Sequence, residues 1–341
     1  MKRRLSSFAS KPPGAVLALA ITVFLGAVLV RSTANAQQNG NSAGAVIHVM
    51  RVQGNIYMLV GDGANITVQV GDQGVLLVDT GLATMSDKVL ATVRTLSDKP
   101  IRYIVDTNDD PDHVGGNESI AKAGSTVTGG NVVGDIGASA GNTASIIGFQ
   151  TILDRMSATT GTPFAMPQGA WPTDTYTVPQ KSFWFNGDSI RVFHQPGLTD
   201  GDSIVYFRRA DVISTGDIFR TDSYPVIDLK RGGSIQGIID GLNRLLDLTI
   251  PADDKSKDEG GTMVIPGHGR LCDQADVVVY QEMVTIIRDR IQDMVKKGMT
   301  LDQVKAAKPT MDYDPLYGTD TGSWTTDMFV EAVYQSLSAK H

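Results

Sequence analysis

Short apolar runs punctuated by turn residues dominate the chain from Val46 onward. Val46 to Val52 and Ile56 to Val60 are separated by Gly54-Asn55, and Asn65 to Val70 and Gly74 to Val78 by the turn that starts at Gly71-Asp72-Gln73. Apolar alternation bounded by Gly, Asn and Asp is the signal of hairpins, so this stretch predicts a meander of four strands. The period then changes: Ser86 to Leu96 carries its apolar residues at helical spacing. Ile101 to Val105 reads as a buried strand, Glu118 to Ala123 as the opening of a helix, and Ser125 to Thr128 as a short parallel strand. Strand, helix, strand, loop and helix in that order is the first half of an αββα sandwich, two mixed β-sheets flanked by helices.

From Asn131 to Pro179 the pattern dissolves into Gly, Ala, Ser and Thr with scattered Phe149, Met156, Phe164, Met166 and Trp171. A stretch of this length without periodicity predicts a partly helical lid or substrate loop rather than a core element. Strands return at Ser182 to Phe185, Ser189 to Phe193, Ser203 to Phe207 and Val212 to Ser214. Ser234 to Asp247 has Ile235, Ile238, Ile239, Leu242, Leu245 and Leu246 on one side of a helix. Further helices are predicted at Ala275 to Lys297, Leu301 to Ala307 and Thr325 to Leu337, the last either closing the core or serving as an interface. The domain reading is a main domain over 46–300, with 131–179 as its lid, and a helical extension over 301–341.

Composition narrows the function classes. The 341 residues are 41% hydrophobic, ample for a large core, and the net charge of −7 without a long basic run argues against nucleic acid as a partner. Residues 1–36 stand apart. Lys2, Arg3 and Arg4 precede the apolar run Ala15 to Val30, and Ala34-Asn35-Ala36 supplies small residues for cleavage, the pattern of a secretory signal peptide cut before Gln37. A flexible leader over 37–45 and a periplasmic or secreted location follow; an uncleaved anchor is the alternative and the only membrane attachment expected. A single cysteine, Cys272, excludes an intrachain disulfide and reads as a small buried residue or a thiol near the site.

The candidate chemistry lies between the strand Ile101 to Val105 and the helix that follows it, in Thr107-Asn108-Asp109-Asp110-Pro111-Asp112-His113-Val114-Gly115-Gly116. This loop resembles the metal-binding signature of the metallo-β-lactamase superfamily, His-x-His-x-Asp-His followed by Gly-Gly, with Asn108 and Asp110 at the two leading histidine positions. Three further stretches match in the same order. Asp79-Thr80-Gly81 is similar to the Asp-x-Gly element ahead of the first helix. Leu198-Thr199-Asp200-Gly201-Asp202 is similar to a His-Thr-x-Gly-Asp turn, with Leu198 where a ligand histidine stands. Thr215-Gly216-Asp217 carries the aspartate that bridges two metals in glyoxalase II-like members, and Pro266-Gly267-His268-Gly269 the last ligand histidine.

The resemblance implies one metal, bound at the family's second site by Asp112, His113, Asp217 and His268, with zinc expected and iron or manganese acceptable to the same donors. The first site would need imidazoles where Asn108, Asp110 and Leu198 stand; the mononuclear subclass of the family also carries Asn at the first of these positions. The function implied is that of an exported metallo-hydrolase in which a metal-activated water attacks a small ester, amide, lactone or thioester. Asp112 would anchor that centre, Asp110 or Asp217 would act as general base, and the metal or Asn108 would polarise the substrate oxygen. Two other readings stand beside it: a non-catalytic binding or scaffold protein that keeps the fold, and metal-dependent chemistry other than hydrolysis. Among single residues, Asp110 and Asp112 could instead cap the following helix, and His194 could swing in for the missing ligand. His48 and His341 read as structural or exposed.

Overall fold

The computed structural model describes residues 46–126, 142–162, 164–252 and 260–338. The segments expected as signal peptide and leader, His341 and part of the 131–179 stretch lie outside the described residues.

Twelve strands form two sheets among the described residues. In the first, β1 (His48–Gln53), β2 (Ile56–Val60), β3 (Ile66–Gly71) and β4 (Gly74–Val78) make the antiparallel meander. The sheet continues in parallel through β5 (Ile101–Val105), β6 (Ser145–Phe149) and β7 (Asp174–Tyr176). In the second, β8 (Gln180–Phe185), β9 (Asp188–His194), β10 (Ser203–Phe207) and β11 (Val212–Ser214) are antiparallel neighbours, and β12 (Met263–Ile265) runs parallel to β11.

The inner faces of the two sheets share a core. Ile56, Met58, Leu76, Val78, Val105 and Ile147 of the first meet Phe185, Ile190, Val192, Val205, Phe207 and Ile265 of the second. On the outer face of the second sheet, Ile204, Ile213 and Val264 pack against α5 (Ile235–Leu248), α6 (Gln274–Lys296) and α9 (Thr326–Ser338). The apolar stripe of α5 produces this. Ile235, Ile238, Ile239, Leu242 and Leu245 recur at helical spacing and are all buried, and burying such a side chain is worth about 1.5–3 kcal/mol. Its start is fixed by Ser234, whose hydroxyl accepts a hydrogen bond from Gly237 N at 2.9 Å. Outside the first sheet, α3 (Asn117–Lys122) lies on β5 and β6, and α1 (Ser86–Leu96) lies against α3. Helix, sheet, sheet and helix is the αββα sandwich that the strand order predicts.

Two expectations change. The 131–179 stretch is not only a lid: its described part supplies β6 and β7 to the first sheet and α4 (Gln150–Met156) beside them. The parallel strand expected at Ser125 to Thr128 is not seen at Ser125 and Thr126, and β6 takes the place next to β5. Ile146, Ile147, Gly148 and Phe149 are buried on both faces, so β6 shows no alternation to betray it. The last helix closes the core through Phe329, Val330 and Val333. Cys272 is 2% exposed in the same core, where burial pushes its thiol up to about 12, an inert environment.

Candidate metal centre

Each residue of the candidate centre hangs from the C-terminal end of a strand. β5 runs into Asp106 to Asp110 and then the short helix α2 (Pro111–Val114), which carries Asp112 and His113. Pro111 at the first turn suits a helix start, where its missing N–H costs nothing. Asp110 occupies the cap position, yet its side chain makes no capping hydrogen bond. The parallel pair β11 and β12 ends side by side, so Asp217 in the turn after β11 faces His268 in the loop after β12.

These elements bring Asp112, His113 and His268 into one group with a ligand atom from each, all within 4.8 Å of one another. His268 Nε2 stands 3.2 Å from Asp112 Oδ2 and 3.7 Å from Asp217 Oδ1. His113 Nε2 stands 3.4 Å from the same Asp217 oxygen. Both His113 Nε2 and Asp217 Oδ1 are buried without a hydrogen-bond partner. Buried polar atoms are normally satisfied, so a converging set that leaves two of them unpaired fits a cation. Two imidazoles and two carboxylates also suit zinc, iron or manganese chemically.

Asp79, which follows β4, was legible in the sequence only as part of a motif; here its carboxylate accepts the His113 Nδ1 proton at 2.8 Å. Thr107 fixes that carboxylate in turn, its N donating to Oδ1 at 2.8 Å and its hydroxyl to Oδ2 at 2.7 Å. A carboxylate on the far nitrogen sets the tautomer and leaves Nε2 to face the centre. Close packing constrains the backbone too: a Cβ at Gly267 would lie 2.2 Å from Asp217 Oδ1. Asn65 clamps the His268 loop, its Nδ2 donating to Pro266 O at 2.9 Å and Gly269 O at 3.1 Å.

The electrostatics follow from this crowding. Burial alone would lower the His113 pKa, but the Asp79 and Asp217 carboxylates on either side raise it well above the usual 6.5. Burial works to raise Asp217, and His113, Arg220 and His268 more than offset it, so the group titrates far below an ordinary carboxylate. Asp112 is also lowered: burial opposes this, but the His268 hydrogen bond prevails. A raised histidine pKa stabilises the fold below the unfolded value, and that contribution is lost as pH rises through the folded one. The metal-free protein is therefore expected to lose stability as pH rises above 6.5 toward the raised His113 value, while ion affinity increases over the same range because the Nε2 proton competes with the ion. Urea midpoints in the presence of a chelator check this, and a midpoint that climbs through that range would contradict it.

The positions that resemble the first site look different. Leu198 is wholly buried, and Asn108 is buried with Nδ2 unpartnered and Oδ1 accepting Asp110 N at 2.8 Å. Asp110 pairs with Arg231, Nη1 to Oδ1 at 2.6 Å; burial raises its pKa in spite of that pairing. Asp109 is held by Arg155 through two bonds, Nε to Oδ2 at 2.7 Å and Nη2 to Oδ1 at 2.9 Å. His194 does not replace a ligand: its ring stacks on Phe149 at 3.5 Å, and its Nε2 lies 2.7 Å from the Asp200 carbonyl. His48 is exposed.

Comparison with known proteins bears on the family and the fold. The sequence profile of the metallo-beta-lactamase superfamily matches residues 59–268. A linear primary-alkylsulfatase from a Pseudomonas species (strain ATCC 19151) is 24% identical over 262 residues, which cover 68% of this chain and 47% of that enzyme. The chain thus spans about half the length of this curated relative. A stereoselective inverting sec-alkylsulfatase from Pseudomonas superposes with TM-score 0.57 at 16% identity over 85% of this chain and 50% of that one. A metallo-beta-lactamase from Pontibacter korlensis superposes with TM-score 0.50 at 13% identity over 70% of this chain and 99% of that one.

Proposed function

Because the chain belongs to the metallo-β-lactamase superfamily, we propose that it is a metal-dependent hydrolase of small-molecule esters with one divalent ion held by Asp112, His113, Asp217 and His268. The observation that carries this reading is the pair of buried, unpartnered ligand atoms, His113 Nε2 and Asp217 Oδ1, set against His268 and Asp112. Zinc is the first choice among the metals these donors accept. When bound, such an ion supplies Lewis acidity and a water whose pKa falls to about 7.

The chain's own residues do the rest. Asp79 keeps His113 oriented. Asp110 has one oxygen on Arg231, and its carboxylate would take a proton from the attacking water. Asn108 Nδ2, a buried donor without a partner, would hydrogen-bond the substrate oxygen as charge develops on it. The alkylsulfatase relative makes alkyl sulfate esters the first class to try, ahead of carboxylic esters, lactones, amides and thioesters. The pattern of residues 1–36 supports export, and N-terminal sequencing of the mature protein should begin at Gln37.

Metal content per chain, measured by elemental mass spectrometry on untagged protein purified without chelators, tests the proposal. About one zinc, iron or manganese per chain is expected. No ion after incubation with excess zinc would overturn it and favour the non-catalytic binding protein, a reading that the altered first-site positions support.

A further inference from the structure

At the first-site positions a cation already stands among the carboxylates. Arg231 Nη1 is 2.6 Å from Asp110 Oδ1 and 3.3 Å from Asp109 Oδ1, and its Nε is 2.7 Å from Asp228 Oδ2. The ring of Phe164 covers the guanidinium carbon at 3.9 Å. The guanidinium is thus enclosed by three carboxylates and an aromatic face, with the Arg231 side chain only 10% exposed.

The backbone is built to deliver it there. The loop bearing Leu198 and the loop bearing Arg231 are joined by hydrogen bonds: Asp228 N to Leu198 O at 2.9 Å, Asp200 N to Arg231 O at 2.8 Å and Ser234 N to Gly197 O at 2.9 Å. A Cβ at Gly233 would lie 2.0 Å from Leu198 O, so only glycine lets the two loops run this close. All three positions that would hold a first ion are therefore near Arg231: Asp110 binds it, Asn108 Oδ1 holds the Asp110 backbone, and Leu198 lies on the loop fastened to it.

Asn108, Asp110 and Leu198 do not by themselves make a zinc site, since none offers an imidazole and Leu198 offers no donor at all, so an ion at this end would have to take its oxygens from Asp109, Asp110 and Asp228, the carboxylates that Arg231 joins. Adjacent buried carboxylates nevertheless need a counter-charge. Arg155 serves Asp109 from one side, and Arg231 serves Asp109 and Asp110 from the other.

We propose that Arg231 is a built-in replacement for a first metal ion: its guanidinium provides the fixed positive charge at this end of the centre and keeps a second divalent ion out. This rests on the one-metal reading of Asp112, His113, Asp217 and His268. A guanidinium suits the task because it is charged at every relevant pH and its planar fork engages several carboxylates at once.

Titration of Zn²⁺ and of Mn²⁺ into chelator-treated protein, followed by calorimetry and by metal counting, tests the assignment. The wild type is expected to take one ion per chain. Arg231→Gln, checked for fold by circular dichroism and thermal melting, is expected to take two, the second displaced by methylguanidinium chloride. One ion in both proteins overturns the role of Arg231 and leaves the metal centre standing, as would two ions in the wild type. No ion in either overturns the metal centre and this inference with it. Should Arg231→Gln not fold, Arg231→Met decides: it removes the charge and keeps an unbranched apolar stem beneath Phe164, so a second ion should bind. Its absence overturns the assignment.

Discussion

Replacing His268 with alanine is expected to leave a folded protein that holds no divalent ion and has no hydrolytic activity above background. His268 follows β12 in a loop between two glycines, and its side chain contacts the Asp112 and Asp217 carboxylates rather than the apolar core. It packs on polar groups rather than in the apolar core, so the stability cost should stay near 1 kcal/mol. Losing one of two imidazoles removes a donor that no nearby group replaces, since His194 is stacked on Phe149. Elemental analysis, a melting curve and a rate on the best ester substrate together check this. A variant that kept its ion and its rate would place the chemistry elsewhere. The same change at His113 is less clean, because it strips partners from two buried carboxylates, Asp79 and Asp217, and threatens the fold itself.

Asp110→Asn should lower kcat by about 10²–10⁴-fold, the usual contribution of a positioned general base, with metal content unchanged. The substitution is conservative where it needs to be. An asparagine Oδ1 still accepts the Arg231 hydrogen bond that Asp110 Oδ1 accepts at 2.6 Å, so the loop keeps its anchor while losing its proton acceptor. An unchanged kcat would remove Asp110 from the chemistry and shift the role of base to Asp217. A loss of the ion as well would instead make Asp110 a ligand.

Much of this architecture is readable from residue order alone. The four-strand meander, β5, the strands from β8 to β11 and the long helices announce themselves because each is an apolar run or an apolar alternation bounded by turn residues. β6 and β7 do not, since a central parallel strand buried on both faces has no alternation, and β7 is only three residues long. The same division runs through the site. Asp112, His113 and His268 are visible because histidines and aspartates flanked by glycines at strand ends are chemically conspicuous. Arg231 is not, for it lies 121 positions from Asp110 in a segment whose sequence looks like any exposed loop. Asp79 is 34 positions from His113, and only the parallel register of β4 and β5 brings it beneath the imidazole. Ion pairs across long separations leave no local periodicity, so side chains that adjust a site are harder to see than those that form it.

The buried chain from Asp79 through His113 to Asp217 also bears on how the protein matures. His113 stands between the Asp79 and Asp217 carboxylates, and Arg220 Nη1 lies 3.7 Å from the second Asp217 oxygen. Arg220 thus offsets part of the buried carboxylate charge without an ion. On the proposed one-metal reading, folding need not wait for the ion, which would enter a site that the ends of β5, β11 and β12 already shape.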